Sequence, residues 1–232
     1  MAPTNPIILE ARNVHGFIQY VLDNHAAPST LIVCSTKAAF LETLQTEPES
    51  SQDEELAINA RRLWQTPTLR LLSTSRTLKL AFCPDITHLR AYMATYSITM
   101  AKRSTEQDDA LRLPSAQPIL AILNPVELHR PTSAFSAQGL NRTLSVAVEA
   151  AHHTGSKLVV TEIVKLEAAP DLEDLLQTAQ AQPLASPWDE DVPILNVTTK
   201  RLGELSVGRT VKIKSVAERW CTFKKMPSLD DI

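Results

Sequence analysis

Few residues in this 232-residue chain could do chemistry, and most of them lack the neighbours that chemistry requires. Binding a triphosphate takes closely spaced glycines, so that backbone N–H groups can approach the oxygens, with a lysine beside them. The chain has 5 glycines, at Gly16, Gly139, Gly155, Gly203 and Gly208, none clustered and none followed by lysine. His152-His153 is a metal pair by residue type only. Adjacent histidines leave a helix in different directions, no cysteine or carboxylate is read at ligand spacing, and surface histidines near a helix C-terminus are expected. Ser35, Ser136 and Cys221 have no identifiable base or nucleophile-elbow motif, and Arg130 is expected to pack or pair locally. Cys34, Cys83 and Cys221 stand far apart, two of them in apolar runs, which predicts buried thiols and neither disulfides nor a metal site. No catalytic, cofactor-binding or metal-binding residue is expected, and no cofactor.

One patch of charge is informative. The chain has a net charge of −3 and a pI near 6.1, which argues against a surface coated with basic residues. Lys200, Arg201, Arg209, Lys212, Lys214, Arg219, Lys224 and Lys225 nevertheless face only Glu204 and Glu218 between positions 200 and 225, giving +6 there and −9 elsewhere. Trp220 and Phe223 lie among them. Cations interleaved with aromatics suit a nucleic-acid strand, whose phosphates and bases need those two groups. Arg209, Lys212, Lys214, Arg219, Lys224 and Lys225 are the candidate DNA-binding residues. The competing reading is a solvated edge hairpin whose lysines discourage strand-to-strand aggregation.

The elements that would position these residues alternate strand and helix. Ile119 to Leu123 is a short apolar run, and Leu140, Leu144, Ala147, Val148 and Ala151 then recur at helical spacing. Ser136 supplies the N-cap and Gly155 the stop, before a second β-branched run from Leu158 to Val164. This is a βαβ unit with parallel strands buried on both faces. Pro6 to Glu10 and Val14 to Leu22 read as strand and helix, and Thr77 to Cys83 and Ile86 to Tyr96 as another such pair. Thr30 to Phe40 is a further strand-like run, Thr46 to Asp53 a polar loop and Glu54 to Trp64 a helix; Pro67 to Ser75 is helical or extended. Residues 102–117 and 165–192 read as exposed loops. Pro193 to Thr198, Ser206 to Ser215 and Val216 to Phe223 read as antiparallel strands at the sheet edge. With 44% hydrophobic and 21% charged residues, the chain can bury one core, so residues 1–232 are expected to form a single α/β domain. No apolar run approaches about 18 residues and no signal peptide opens the sequence, which predicts a soluble intracellular protein.

Leu128-His129-Arg130, the Ser-rich stretch Ser133 to Gln138, the helix after it and Thr161-Glu162-Ile163 together resemble the RecA-type recombinases from the Walker B strand onward. The resemblance extends at low identity from Ile7 to Phe223. It implies a RecA-like fold, a mostly parallel sheet with helices on both faces and an antiparallel C-terminal edge. It also implies where ATPase groups would stand. The phosphate-loop position holds Ala11-Arg12-Asn13-Val14-His15-Gly16, with no Gly-Lys-Ser/Thr. Anchoring on Thr36 and Phe40 puts Lys37 at the catalytic glutamate, and a protonated lysine is no base. Leu123 or Asn124 stands for the Walker B aspartate, and Glu162-Ile163 for the pair that senses the terminal phosphate. Residues 165–192, the place of the second DNA-binding loop, carry seven acidic residues against Lys165 and would repel phosphate. The resemblance therefore points to a pseudo-ATPase like the noncatalytic recombinase paralogues of Shu-type complexes. Such proteins are nuclear hetero-oligomer subunits that bind a RecA-like partner and DNA in homologous recombination and repair. The alternatives are a RecA-like accessory subunit of Elongator, acting in tRNA modification and placed in the cytoplasm, and an enzyme with a remodelled site.

Overall fold

The computed structural model describes residues 5–50, 69–103, 117–163, 186–195, 199–201, 204–206 and 209–226. Strand β1 (Ile7–Glu10) leads into helix α1 (Val14–Asn24), and β2 (His25–Val33) into α2 (Lys37–Ser50). Helix α3 (Leu69–Ser75) precedes β3 (Leu78–Phe82), and α4 (Ile86–Arg103) precedes β4 (Gln117–Leu123). A short helix, α5 (Pro125–His129), then α6 (Ala137–Thr154) connect β4 to β5 (Lys157–Thr161). The C-terminal part holds a 3-10 turn (Pro187–Asp189), β6 (Asp191–Pro193), β7 (Thr199–Arg201), β8 (Glu204–Ser206), β9 (Thr210–Lys212), α7 (Ile213–Ala217) and β10 (Thr222–Lys225).

Six strands form the central sheet in the order β10-β1-β5-β4-β2-β3, and every described pairing in it is parallel. Alternate side chains go to opposite faces, so each strand feeds two cores. Ile7, Leu9, Leu31, Val33 and Val159 pack with Phe17, Val21 and Phe40 on the face covered by α1 and α2. Ile8, Ile32, Leu120, Ile122 and Val160 pack with Leu89, Met93, Leu144, Ala147 and Ile213 on the face covered by α4, α6 and α7. The chain changes face where its travel across the sheet reverses, after β3, as right-handed crossovers require. The α/β class and the helix-covered parallel sheet are as the sequence implies.

The helix boundaries follow from capping. The Ser136 side chain accepts a hydrogen bond from Gly139 N at 3.2 Å, and Gly155, at φ 64°, ends α6 in the left-handed conformation that glycine adopts without a Cβ clash.

Other expectations are corrected. The run from Thr30 divides: β2 begins earlier, at His25, and ends at Val33, while Lys37 opens α2, which runs to Ser50 through part of the expected polar loop. Leu69–Ser75 is helical. The helix expected over residues 54–64 lies outside the described residues, as do residues 104–116 and 165–185 of the two expected loops. Residues 186–192 of the second loop are ordered into the 3-10 turn, with Trp188 buried, and β6. The antiparallel C-terminal strands form two separate ribbons, β6–β9 and β7–β8, and the edge strand β10 joins β1 in parallel, with Ile7 opposite Thr222 and Glu10 opposite Lys225. Ile213–Ala217 is a helix because Ile213, Val216 and Ala217 also sit at i, i+3, i+4, and burying all three against α6 overrides the alternation of Val211 and Ile213.

Candidate functional site

Ligands of open parallel sheets sit outside the carboxyl ends of the strands, and among the described residues the ends of β1, β4 and β5 are occupied by the chain's own groups. Between β1 and α1 there are only three residues, Ala11, Arg12 and Asn13. Ala11 N donates to Leu9 O at 3.0 Å, which turns the backbone at once. Asn13 then caps α1, its Oδ1 accepting from Gly16 N at 2.7 Å. Met226, just past β10, folds over the same helix start, its Cε 2.9 Å and its Sδ 3.4 Å from where a Gly16 Cβ would lie. A side-chain oxygen and a thioether thus occupy the mouth of α1.

At the ends of β4 and β5 a second arrangement of protein groups is closed on itself. Asn124 takes the left-handed conformation (φ 58°, ψ 48°), its N–H donates to Thr161 O at 2.9 Å, and its Oδ1 accepts from Ile163 N at 2.8 Å. Pro125 then opens α5, where its fixed φ fits a first helical turn. The Glu162 carboxylate faces that turn, Oε2 accepting from Val126 N at 2.9 Å and Oε1 from Glu127 N at 2.8 Å. Glu162 is only 6% exposed. Burial pushes its pKa up to about 8, more than the two N–H bonds and the Arg130 charge pull it down, and the Glu127 charge adds to the rise. The carboxyl group, through these two N–H bonds, serves as an internal cap.

Behind α5 lies a buried polar chain. His129 has no exposed surface; its Nδ1 is 2.7 Å from Pro125 O and its Nε2 is 3.0 Å from Thr143 Oγ1. Since a carbonyl only accepts, Nδ1 carries the proton and Thr143 donates to Nε2. Arg90 completes the chain, Nε donating to Thr143 Oγ1 at 3.0 Å and a terminal nitrogen to Gly139 O at 2.8 Å. Burial, with the nearby Arg90 charge, lowers the His129 pKa, so the ring is neutral.

Arg130 pairs locally, as expected: its terminal nitrogens reach the two Glu190 oxygens at 3.0 and 2.6 Å, its Nε reaches Glu127 at 2.8 Å, and it stacks over Phe135. Lys37 is exposed, and Leu123 is a buried strand residue. His152 and His153 are exposed at the end of α6, and a carboxylate does stand at ligand spacing, Glu149 lying 3.6 Å from His153. Among the described residues no group of three or more His, Cys, Asp or Glu could hold a metal ion. Cys34, Cys83 and Cys221 are buried free thiols.

The DNA-binding candidates do not form one strand face. Lys212 ends β9, Lys214 lies in α7 and Arg219 follows it. The expected sharing of a strand face by Lys212 and Lys214 fails because the chain turns helical at Ile213. Lys214 is half-buried with its Nζ 5.1 Å from the Phe223 ring centroid, whereas Arg209, Lys212, Arg219, Lys224 and Lys225 are exposed. The aromatics are engaged in packing: Trp220 Nε1 donates to Asn141 Oδ1 at 2.9 Å, and Phe223 meets Trp188 edge to face at 5.5 Å. They are not free platforms for bases.

The model of one protein family, described as SPAC22G7.03-like, matches residues 5–182. The chain belongs to the SPAC22G7.03-like family. No curated protein matches the sequence. The match takes in all of the central sheet except β10, together with Asn13, Asn124, His129 and Glu162. Among its described residues, no helix is long and apolar enough to cross a membrane.

Proposed function

We propose that this SPAC22G7.03-like protein is a noncatalytic RecA-like subunit of a heteromeric complex, a pseudo-ATPase that assists homologous recombination and DNA repair in the nucleus through partner and DNA binding. The observation that carries the reading is the closed start of α1. A phosphate there needs free backbone N–H groups and space; the Gly16 N–H is bonded to Asn13, and Met226 covers the helix start. Glu162 supports it, because its carboxyl group occupies the Val126 and Glu127 N–H groups at the start of α5 and leaves neither to bind a terminal phosphate. A fold kept without nucleotide chemistry is kept for its surfaces. DNA contact in this reading is made with phosphates, by exposed Arg209, Lys212, Arg219, Lys224 and Lys225, and not by base stacking.

The test has two parts. Isothermal titration of the purified protein with magnesium-ATP should give no binding heat, and affinity in the micromolar range would overturn the pseudo-ATPase reading. Affinity purification from its native cells should recover recombinase paralogues as stable partners; recovery of Elongator subunits would transfer the protein to tRNA modification.

A further inference from the structure

Cys34 and Cys83 are 49 positions apart in sequence and neighbours in the sheet. They directly follow the register pair Val33 and Phe82 on the parallel strands β2 and β3. The ladder continues through both: Cys34 N donates to Leu123 O at 3.0 Å and Cys83 N to Val33 O at 2.9 Å. Both side chains belong to the same core cluster, on the α4 and α6 face. In-register residues on adjacent strands have Cα atoms about 4.8 Å apart, within the roughly 4.4–6.8 Å that a disulfide spans. We propose that Cys34 and Cys83 form a redox-responsive dithiol that closes to an intramolecular disulfide under hydroperoxide and reopens under thiol reductants.

Both thiols are buried, Cys34 at 5% exposure and Cys83 at none, and each lies close to exposed residues, Thr36 by Cys34 and Pro84 and Asp85 by Cys83, so either order of attack gives the same disulfide. The Cys34 sulfur attacks the peroxide: an S–O bond forms, the O–O bond breaks, and the thiol proton leaves with the departing oxygen as water. The Cys83 sulfur then attacks the Cys34 sulfenic acid; the S–S bond forms, the S–O bond breaks, and the hydroxide takes the Cys83 proton as a second water. Two thiols and one hydroperoxide give one disulfide and two waters, the sulfurs being oxidised and the peroxide oxygens reduced. Burial holds both thiols protonated, with the Glu162 charge acting on Cys34 and the Asp85 charge on Cys83, so little of either is the reactive thiolate and the reaction is slow. Closure must draw the β-carbons from ladder spacing to about 3.8 Å, and the strain makes the bond easy to reduce.

The folded protein is treated with hydrogen peroxide, quenched with an alkylating agent under denaturing conditions, and measured by intact mass and peptide mapping. The expected result is a single alkyl group where the untreated protein takes three, at two hydrogen masses below the singly alkylated chain, a cross-linked peptide pair containing Cys34 and Cys83, and recovery of both thiols on reduction. C83S should lose the link and carry added oxygen at Cys34, and C221S should keep the link. Three results would overturn the proposal in the wild-type chain alone, whether or not the variants fold: all three cysteines still alkylated after peroxide treatment of the folded protein, oxygen added to cysteine without a link, or a cross-link through Cys221.

Discussion

Replacing Glu162 by glutamine should remove a loss of stability that wild type suffers as pH rises. The carboxyl is carried from an ordinary 4.5 to about 8, which corresponds to a folded-state preference for the proton of about 5 kcal/mol. The folded chain holds this proton more tightly than the unfolded chain, so Glu162's contribution is complete below the unfolded value. It is lost as pH rises towards the folded value, and constant above it. Between about pH 5.5 and about pH 9, wild-type stability should therefore fall by about 3 kcal/mol from this group alone. Glutamine cannot ionise, but its amide offers one acceptor where Glu162 offers two, leaving Val126 N or Glu127 N without a partner at about 1–3 kcal/mol. The variant should be less stable than wild type at the acidic end and equal or more stable at the basic end, so that the two curves converge or cross. Urea unfolding at several pH values under reducing conditions reads the difference directly, and ionisation of His129 cancels because both proteins contain it. Parallel curves over the whole range would refute the argument that a desolvated Glu162 carboxyl caps α5.

His129 supplies a prediction of opposite sign. Its lowered pKa means that stability is present above the unfolded value and lost as pH falls below it, so His129→Gln should flatten the acid limb of a melting-temperature profile, and an unchanged limb would place the acid sensitivity elsewhere. For nucleic acid, substituting exposed Lys212, Arg219 and Lys225 by glutamate should weaken DNA binding of the assembled complex by about tenfold and flatten its salt dependence, with no change in melting temperature. Equal fluorescence anisotropy curves for mutant and wild type would remove these residues from DNA contact and leave Lys225 as a guard of the β10 edge.

What could be read in the sequence was whatever a local period determines. Ile119 to Leu123 and Leu158 to Val160 are apolar on both faces, which a doubly covered parallel sheet accommodates, and Ser136 and Gly155 set the limits of α6 because a cap is a contact within one turn. The period misled where two overlap. Val211 and Ile213 alternate as in a strand, yet Ile213, Val216 and Ala217 satisfy a helix, and α6 is present to bury the helical set. That single choice moved Lys214 off the expected strand face and onto Phe223. The filled strand ends had only partial sequence signals. The missing Gly-Lys pair announced the absence of a phosphate cradle, but nothing local announces that Met226 returns to cover Gly16 across more than two hundred residues. Glu162 reads, through the resemblance, as the replacement of a phosphate-sensing pair, but its burial depends on α5 presenting two N–H groups to it, which the sequence does not announce. Cys34 and Cys83 become neighbours only through the β2–β3 register. Strand order and register are non-local quantities, decided by how the crossovers pack, so the fold class could be inferred from the chain while the groups that meet at the sheet's edge could not.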